Sequence, residues 1–475
     1  MKVAIVGLGY VGLPLSLQFA RSGVQVLGLD IDAAKVEAIN SGRSYIKHIE
    51  SREIAALVGV GDSDNPKFKI QNPKSSAPNL QSAPIVNRQS SIVNSPVPPS
   101  HGRTVALPLL SASTDFSLVR TVDAVIICVP TPLTKNREPD ISYILNTGRA
   151  IAPYLQSGQL VVLESTTYPG TTDEDLRAVL EEGSGLKAGV DFHLAFSPER
   201  EDPGNPASKV AEIPKVIGGL TPACLEKAKA LYSHAIKRVV PVSSCRAAEA
   251  TKLLENIFRS VNIALVNELK VVYAAMGIDV WEVINAAKTK PFGYMAFYPG
   301  PGLGGHCIPI DPFYLTWKAR EYGQNTRFIE LAGEINTSMP IYVIHRTAEA
   351  LNANKKPLNG SKVLVVGLAY KPNVDDDRES PSYHLMELLR DRGVEVAYYD
   401  PHVPVIRPSR EHAHWAGTKS VTWTRESVSS FDAVIISTPH DAVCYKDLAE
   451  WAPLIIDTRN AMAEVRTRPG QVWKA

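Results

Sequence analysis

The stretch Lys2-Val-Ala-Ile-Val-Gly7-Leu-Gly9-Tyr10-Val11-Gly12 opens the chain and sets the pattern G-x-G-x-x-G directly after an apolar run. Glycines at these positions allow a tight turn after a strand and let a dinucleotide pyrophosphate approach the start of the next helix. The following residues, Leu13 to Ser22, have helical spacing of apolar positions. The stretch therefore predicts a dinucleotide site formed by Gly7, Gly9, Tyr10, Val11 and Gly12.

A second predicted strand, Val24 to Asp30, and a second helix, Ala33 to Asn40, complete a βαβ unit and indicate a parallel sheet. Asp30 lies 23 residues after Gly7, close to the ~20-residue offset at which an acid binds the ribose hydroxyls of NAD. A carboxylate there disfavours the 2′-phosphate of NADP. The predicted cofactor is NAD.

Three more apolar strands, Asp123 to Val129, Leu160 to Leu163 and Phe192 to Phe196, each run into a polar segment. Ligands of open α/β sheets bind at such carboxyl ends. The candidate contacts there are Pro130, Thr131, Glu164, Thr166, Glu199 and Arg200. The alternative is that the threonines only cap turns and that Glu199, with Glu201 and Asp202, forms a solvated acidic loop.

Residues 61 to 110 interrupt the α/β pattern. Between Gln71 and Ser100, 17 of 30 positions are Pro, Ser or Asn, and Lys74 and Arg88 are the charged residues. Such a segment buries too little apolar area to offset its ordering entropy. It predicts a disordered or loosely packed insertion, with order resuming near Ser113; an erroneous stretch of the gene model is the alternative.

The middle of the chain combines a long helix with a glycine-rich turn. Lys252 and Asn256 share one face of the predicted helix Ala247 to Met276; on its own, such a pair is usually an exposed polar stripe. The turn, Gly300-Pro-Gly-Leu-Gly-Gly-His-Cys307-Ile-Pro-Ile-Asp311, places a thiol where the backbone can approach a ligand closely. Cys307 is therefore the candidate nucleophile.

The last third repeats the first. Lys362 to Tyr370 parallels the opening stretch, but Ala369 and Pro372 replace the second and third glycines, which no longer supports pyrophosphate binding in the dinucleotide manner. Lys371 and Arg378 in this loop suit a phosphate-bearing ligand. Surface charges beside neighbouring aspartates are the equally good alternative.

Composition narrows the class of protein. The chain has 475 residues, 50 Lys and Arg against 49 Asp and Glu, and 44% hydrophobic residues, which predicts two or three globular domains and no nucleic-acid or membrane partner. The chain enters a strand at once, so we expect a cytoplasmic protein. The five cysteines, without metal-ligand or disulfide spacing, indicate a reducing compartment and no metal site: Cys128, Cys224, Cys245, Cys307 and Cys444.

Seven motifs in order carry a resemblance to the UDP-glucose/GDP-mannose dehydrogenase family: GLGYVGLPL (7–15), CVPTPL (128–133), ESTTYPGTT (164–172), SPEREDPGN (197–205), KLLEN (252–256), GPGLGGHCIPID (300–311) and AYKPNVDDDRES (369–380). Within that family, the chain most resembles the bacterial UDP-N-acetylglucosamine 6-dehydrogenases of polysaccharide biosynthesis. The resemblance implies two Rossmann-like doubly wound α/β domains joined by a central helical domain. The expected ranges are 1–220 for NAD, 221–345 for the helical domain with the cysteine turn, and 346–475 for the UDP-sugar.

The resemblance further implies a four-electron oxidation of the sugar C6 alcohol with two NAD. Cys307 would form a thiohemiacetal and then a thioester, as an aldehyde releases no hydride until a nucleophile has added. Lys252 would stabilise the oxyanion, with Asn256 hydrogen-bonded nearby. Asp311 and Glu199 would carry protons through a water network held by Thr131.

Other roles implied by the resemblance concern binding and assembly. Thr166 would contact the nicotinamide end, with Glu164 close by, and Lys371 and Arg378 would bind the uridine diphosphate. Further substrate contacts would come from Glu199, Arg200, Lys252, Asn256, Tyr298 and Gly304. The family forms dimers through its middle helices, so we expect a homodimer. Some relatives place a neighbouring subunit's arginine in the sugar site, but the segment from Thr289 to Tyr294 has Lys290 as its cation.

Two other functions fit the sequence. A two-electron NAD dehydrogenase would use Lys252 and Asn256 and leave Cys307 idle. A non-catalytic nucleotide-binding protein would result if the 61–110 insertion disrupted the fold. Among UDP-sugars, N-acetylglucosamine, N-acetylgalactosamine, N-acetylmannosamine and glucose all remain open.

Overall fold

The computed structural model describes residues 1–46, 49–59, 108–134, 137–200, 210–305, 308–409 and 412–475. In these residues two α/β units, each built on a sheet, are joined by long helices, which confirms the predicted fold class. The predicted 61–110 insertion lies outside the described residues up to 107. Its last residue, Leu110, is buried and begins a strand.

The first sheet consists of β1 (Lys2–Val6), β2 (Gln25–Leu29), β3 (Leu110–Ser113), β4 (Ala124–Ile127), β5 (Leu160–Leu163), β6 (His193–Phe196), β7 (Lys215–Gly219) and β8 (Val239–Val242). Its strand order is β3-β2-β1-β4-β5-β6-β7-β8. Strands β1 to β6 are parallel, whereas β7 runs antiparallel to β6 and β8 is parallel to β7. The sheet thus extends past residue 220, into the range expected for the central domain.

Helices cover both faces of this sheet because its strand residues alternate between two apolar clusters. Val3 and Ile5 belong to one cluster, and Ala4 and Val6 to the other. The helices are α1 (Gly12–Arg21), α2 (Ala33–Asn40), α3 (Ser51–Val58), α4 (Ser142–Ile151), α5 (Arg177–Ser184) and α6 (Pro222–Tyr232). Shorter helical turns span Phe116–Thr121, Ala152–Tyr154, Thr171–Leu176 and Val210–Glu212.

The middle of the chain is helical: α7 (Cys245–Ala275), α8 (Val280–Ala287), α9 (Asp311–Glu321) and α10 (Arg327–Ala353). The 31-residue α7 begins where the Ser244 side chain accepts a hydrogen bond from Ala247 N, which satisfies one of the free amides of the first turn. Buried amides join α7 to α10, since Asn267 donates to Asn336 at 3.0 Å. No helix among the described residues is long and apolar enough to cross a bilayer.

The second sheet contains β9 (Lys362–Val366), β10 (Glu395–Tyr399), β11 (Ala433–Ile436), β12 (Ile455–Asp457) and β13 (Val472–Lys474), all parallel, in the order β10-β9-β11-β12-β13. Its helices are α11 (Pro381–Arg390), α12 (Arg425–Ser429), α13 (Tyr445–Trp451) and a short turn at Ala413–Trp415. The repeat extends to side chains: Asp30 accepts from Leu8 N at 2.8 Å, and Asp400 accepts from Leu368 N at 2.6 Å.

Candidate active site

The glycine turn after β1 is tight on its protein side and open on the other. A Cβ at Gly7, whose φ is +92°, would lie 2.4 Å from the Cys128 carbonyl oxygen, and one at Gly12 would lie 1.9 Å from Gly7 O. A Cβ at Gly9 would meet nothing within 4 Å. The turn therefore fits a dinucleotide pyrophosphate placed over Gly9, at the N-terminus of α1.

Asp30 lies at the carboxyl end of β2 beside this turn. Its Oδ2 accepts from Leu8 N at 2.8 Å and lies 3.3 Å from Lys35 Nζ, while Oδ1 accepts from Asp32 N at 2.9 Å. These bonds tie the acid to the backbone of the glycine turn. The Asp30 carboxylate can accept hydrogen bonds from ribose hydroxyls. Together with the open side of the turn, it fits the ribose end of a bound NAD.

The tips of β4 and β5 are joined directly. The Ser165 hydroxyl accepts from Val129 N at 2.9 Å and donates to Val129 O at 2.7 Å. Thr131 is buried and Thr166 half-buried beside this link, whereas Pro130 is exposed. The structure thus brings the three predicted cofactor contacts to adjacent strand ends.

Four predicted catalytic residues meet between α7 and the loops that face it. Asn256 Nδ2 donates to Asp311 Oδ2 at 2.6 Å, and the Lys252 ammonium group donates to the Glu199 carbonyl oxygen. Lys252, Asn256 and Asp311 are all buried. Burial raises the pKa of Asp311 to about 7, against the lowering effects of the Lys252 charge and the Asn256 hydrogen bond.

Asp311 and Thr131 are linked through α9. Asp311 is the first residue of that helix, and the buried Tyr314, one turn later, donates its hydroxyl proton to Thr131 O. Sequence reasoning did not identify Tyr314, although its spacing of three residues from Asp311 places both on one helix face.

The Glu199 carboxylate lies next to a buried lysine. Lys215 Nζ is 3.9 Å from Glu199 Oε2 and 2.7 Å from Glu164 Oε2, and the Tyr232 hydroxyl donates to Glu164. Burial raises the pKa of Glu164, the Lys215 charge opposes this, and the Glu199 charge adds to it. Sequence reasoning missed Lys215 and Tyr232, because nothing local marks a lysine at the start of a strand as buried.

Arg200 was predicted to contact the substrate, but its guanidinium forms hydrogen bonds within the protein. Its guanidinium donates to both Glu255 carboxylate oxygens, at 2.6 and 3.2 Å, and to Pro214 O at 2.6 Å. These contacts fix the segment after β6 between α7 and β7.

The cysteine turn packs against the second α/β unit. A Cβ at Gly304 would lie 2.8 Å from Tyr370 Cβ and 2.9 Å from Pro381 Cδ. Glycine at this position therefore allows the close approach of the two segments. Cys307 lies outside the described residues, as do Glu201 and Asp202.

The start of the same turn lies against the basic side chains of Lys270 and Arg459. Lys270 donates to Gly300 O at 3.1 Å, and a Cβ at Gly300 would lie 2.3 Å from Arg459 Nη1. Sequence reasoning missed Arg459, which follows β12 by two residues. Tyr298, a predicted substrate contact, stacks on Trp281 with ring centroids 5.6 Å apart and remains largely exposed.

The loop after β9 reaches back to the first glycine turn. The Arg378 guanidinium lies 4.6 Å from the centroid of the Tyr10 ring and pairs with Asp376 at 2.6 and 2.8 Å. The Lys371 ammonium lies 5.9 Å from the Tyr370 ring centroid. A predicted cofactor residue, Tyr10, is therefore in contact with a predicted substrate residue, Arg378.

Family models match three consecutive parts of the chain. Residues 1–70 and 88–236 match the NAD binding domain of the UDP-glucose/GDP-mannose dehydrogenase family, residues 246–338 match its central domain, and residues 364–464 match its UDP binding domain.

Curated relatives and solved structures agree with these matches. The UDP-N-acetyl-D-mannosamine dehydrogenase of Pyrococcus horikoshii is 34% identical over 471 residues, covering 98% of this chain and 96% of that protein. The UDP-N-acetyl-D-glucosamine 6-dehydrogenase of Pseudomonas aeruginosa is 32% identical over 441 residues, covering 93% and 90%. A solved structure of UDP-D-ManNAc dehydrogenase from P. horikoshii superposes with a TM-score of 0.81 at 30% identity, covering 100% of this chain and 99% of that one.

Proposed function

This chain belongs to the UDP-glucose/GDP-mannose dehydrogenase family and is an NAD-dependent nucleotide-sugar dehydrogenase, and from that premise we propose that it oxidises a UDP-N-acetylhexosamine at C6 to the uronic acid. The proposed reaction removes four electrons at one site, through a thiohemiacetal and a thioester on Cys307. Its product would serve surface polysaccharide biosynthesis.

The observation that carries this proposal is the hydrogen bond from Asn256 to Asp311 at 2.6 Å. It joins the Lys252 and Asn256 face of α7 to the residue that follows Cys307 by four positions. Four residues of backbone span at most about 14 Å. In sequence, Cys307 is therefore only a short piece of chain away from Asp311, one of the proposed proton carriers.

NAD, when bound, accepts the hydride in each oxidation. At the sugar, Asp311 or Glu199 takes the C6 hydroxyl proton through water, and Lys252 and Asn256 donate to the oxyanion that develops. The Cys307 thiolate then forms a bond to the aldehyde carbon, and oxidation of that adduct leaves a thioester. Water breaks the carbon–sulfur bond, which releases the carboxylate and returns the thiol.

The binding roles are part of the same proposal. We assign the cofactor to Gly7, Gly9, Tyr10, Val11, Gly12, Asp30, Pro130, Thr131 and Thr166, and the UDP-sugar to Glu199, Arg200, Lys252, Asn256, Tyr298, Gly304, Lys371 and Arg378. Domain ranges of 1–220, 221–345 and 346–475 go with this assignment.

The sugar is proposed at the level of a class. The sequence motifs favour N-acetylglucosamine, and a relative that acts on N-acetylmannosamine is 34% identical, which makes that sugar the second candidate. Both carry a 2-acetamido group on a UDP-linked hexose, so one pocket chemistry would serve either.

A count of NADH per sugar tests the proposal. Purified protein is offered UDP-linked N-acetylglucosamine, N-acetylmannosamine, N-acetylgalactosamine and glucose, and a ratio near two is expected for one of the acetamido sugars. Cys307→Ser should stall at the aldehyde or trap an ester. Full turnover by that variant, or one NADH per sugar in the wild type, would reject the four-electron mechanism and favour an ordinary dehydrogenase.

We also propose a homodimer through the middle helices. Helix α7 carries exposed apolar side chains along its length, at Leu254, Phe258, Leu265 and Val272. A partly exposed apolar stripe of this kind favours a subunit contact. Sedimentation equilibrium of the wild type beside Leu265→Glu should give a dimer and a weakened dimer; a monomeric wild type would end this part of the proposal.

A further inference from the structure

Lys215 is buried where a lysine would ordinarily reach water. It is the first residue of β7, yet its side chain is 7% exposed, although lysines at element ends usually extend the ammonium group to solvent. Its Nζ lies 2.7 Å from Glu164 Oε2 and 3.9 Å from Glu199 Oε2. One ammonium group is thus shared by two interior carboxylates.

Glu164, the closer of the two carboxylates to Lys215, is held in place by Tyr232. Tyr232 on α6 donates its hydroxyl proton to Glu164 Oε1, and the Tyr232 ring centroid lies 5.5 Å from Lys215 Nζ. Glu164 is fully buried at the end of β5. Glu164 therefore holds the Lys215 ammonium group on one side, and the same group lies 3.9 Å from Glu199 Oε2 on another.

The backbone around Glu199 has separate supports. Lys252 on α7 donates to Glu199 O, and Arg200 donates to Pro214 O and pairs with Glu255. None of these contacts involves the Glu199 carboxylate. Lys215 Nζ, 3.9 Å from Glu199 Oε2, is a cation that lies close to the carboxylate itself.

We propose that Lys215 is a positioning residue for the sugar oxidation, holding the Glu199 carboxylate in one orientation beside Lys252. This inference rests on the proposed function, in which Glu199 carries a proton. Lys215 acts through Glu199 and requires no contact with the sugar. Glu164 and Tyr232 keep the lysine in place.

The physical reason is charge balance in a site of low dielectric. Among the described residues, the charged groups near the pair are Glu164, Lys252 at the Glu199 backbone, and Arg200 with its partner Glu255; the Tyr232 phenol is neutral. Without Lys215, the Glu199 carboxylate loses the cation that attracts it, and its side chain can adopt other rotamers. A displaced Glu199 no longer meets the water that carries the C6 hydroxyl proton.

Three lysine variants give the first comparison. Lys215→Met should lower kcat by about 10²-fold with KM for the UDP-sugar changed less than about threefold, because a misplaced proton carrier affects the chemical step. Lys215→Arg keeps the cation and should stay within about tenfold of wild type. Lys237→Met is the control, since its exposed side chain pairs with Glu212 on the surface; its rates should not change.

A double variant separates two roles for Lys215. If the lysine only offsets the Glu164 charge, Lys215→Met/Glu164→Gln restores kcat to within threefold of wild type, and the proposal is overturned. We expect kcat to stay about 10²-fold low while the melting temperature recovers. This charge-balanced variant also carries the test where Lys215→Met alone does not fold.

A cycle with Glu199→Gln gives a second, independent readout. If Lys215 acts through Glu199, adding Lys215→Met to Glu199→Gln lowers kcat by less than threefold; losses that multiply would contradict the assignment. The wild-type NADH count is read separately. A ratio of one rejects the four-electron reaction, whereas a ratio of two with multiplying losses rejects only the role of Lys215.

Discussion

The Asn256 side-chain amide on α7 donates to the Asp311 carboxylate at the start of α9 across 2.6 Å, and both side chains are buried. The two residues flank the turn that carries Cys307, on either side in sequence. Their bond joins the longest helix of the molecule to the end of that turn. Asp311 therefore has a fixed hydrogen-bond donor and a surrounding that penalises its charge.

Asp311 should control the acid limb of the pH–rate profile. Burial raises its pKa to about 7, so the carboxylate that accepts a proton forms only as the pH rises through about 7. The wild-type kcat/KM for the UDP-sugar should fall below pH 7. Asp311→Asn should lose about 10²- to 10⁴-fold in kcat/KM and lose this limb; a variant that keeps the limb contradicts the assignment.

Glu249 should make the protein less stable as the pH rises. Its carboxylate accepts from Gly170 N, Thr172 N and Thr172 Oγ1 at 2.7 to 3.0 Å, and burial raises its pKa to about 7. The folded state therefore holds a proton that the unfolded state releases near pH 4.3. Its contribution to the free energy of unfolding is complete below about pH 4 and declines through pH 7, by on the order of 4 kcal/mol.

Urea unfolding midpoints from pH 5 to 8 measure this effect. Glu249→Gln, which cannot ionise, should flatten the decline, and Glu182→Gln at an exposed position of α5 should leave it unchanged. Equal slopes in all three proteins would mean that Glu249 does not titrate in this range. The Glu249→Gln enzyme should keep the acid limb assigned to Asp311.

Two glycines of the first turn should respond oppositely to alanine. Gly12→Ala places a Cβ 1.9 Å from Gly7 O and should destabilise the fold by about 2 kcal/mol or more. Gly9→Ala points into open space and should leave the melting temperature unchanged while weakening NAD binding at least tenfold. Calorimetric titration with NAD checks this; unchanged affinity in Gly9→Ala would move the cofactor away from the turn.

Tyr10 and Arg378 should be energetically coupled in ligand binding. The guanidinium lies 4.6 Å from the ring centroid, a cation–π contact of about 0.5 to 1 kcal/mol at a partly exposed site. Tyr10→Leu and Arg378→Lys should each weaken UDP or NAD binding two- to tenfold, and the double variant should lose less than their product. Additive losses in titration would show that the two residues act independently.

Local patterns predicted the regular elements closely. Helix α2 and strand β5 have the bounds that periodicity indicates, and α7 begins two residues before the predicted Ala247. The antiparallel pairing of β7 with β6 was not predicted, because the residues of a short apolar strand do not indicate whether it pairs parallel or antiparallel. The roles of Lys215 and Tyr232 were not predicted either, because their partner Glu164 lies 51 and 68 positions away in sequence.

The sequence by itself determined the order of strands and helices, the two Rossmann-like repeats, and the set of residue types that a nucleotide-sugar oxidation needs. These properties are local, since they depend on spacing, on apolar runs and on glycine. Only the tertiary structure decided which charged side chains are buried next to one another. Burial is a property of the folded chain. The pKa of Asp311 near 7, the position of Lys215 between two glutamates and the contact of Arg378 with Tyr10 therefore exist only after residues distant in sequence have come together.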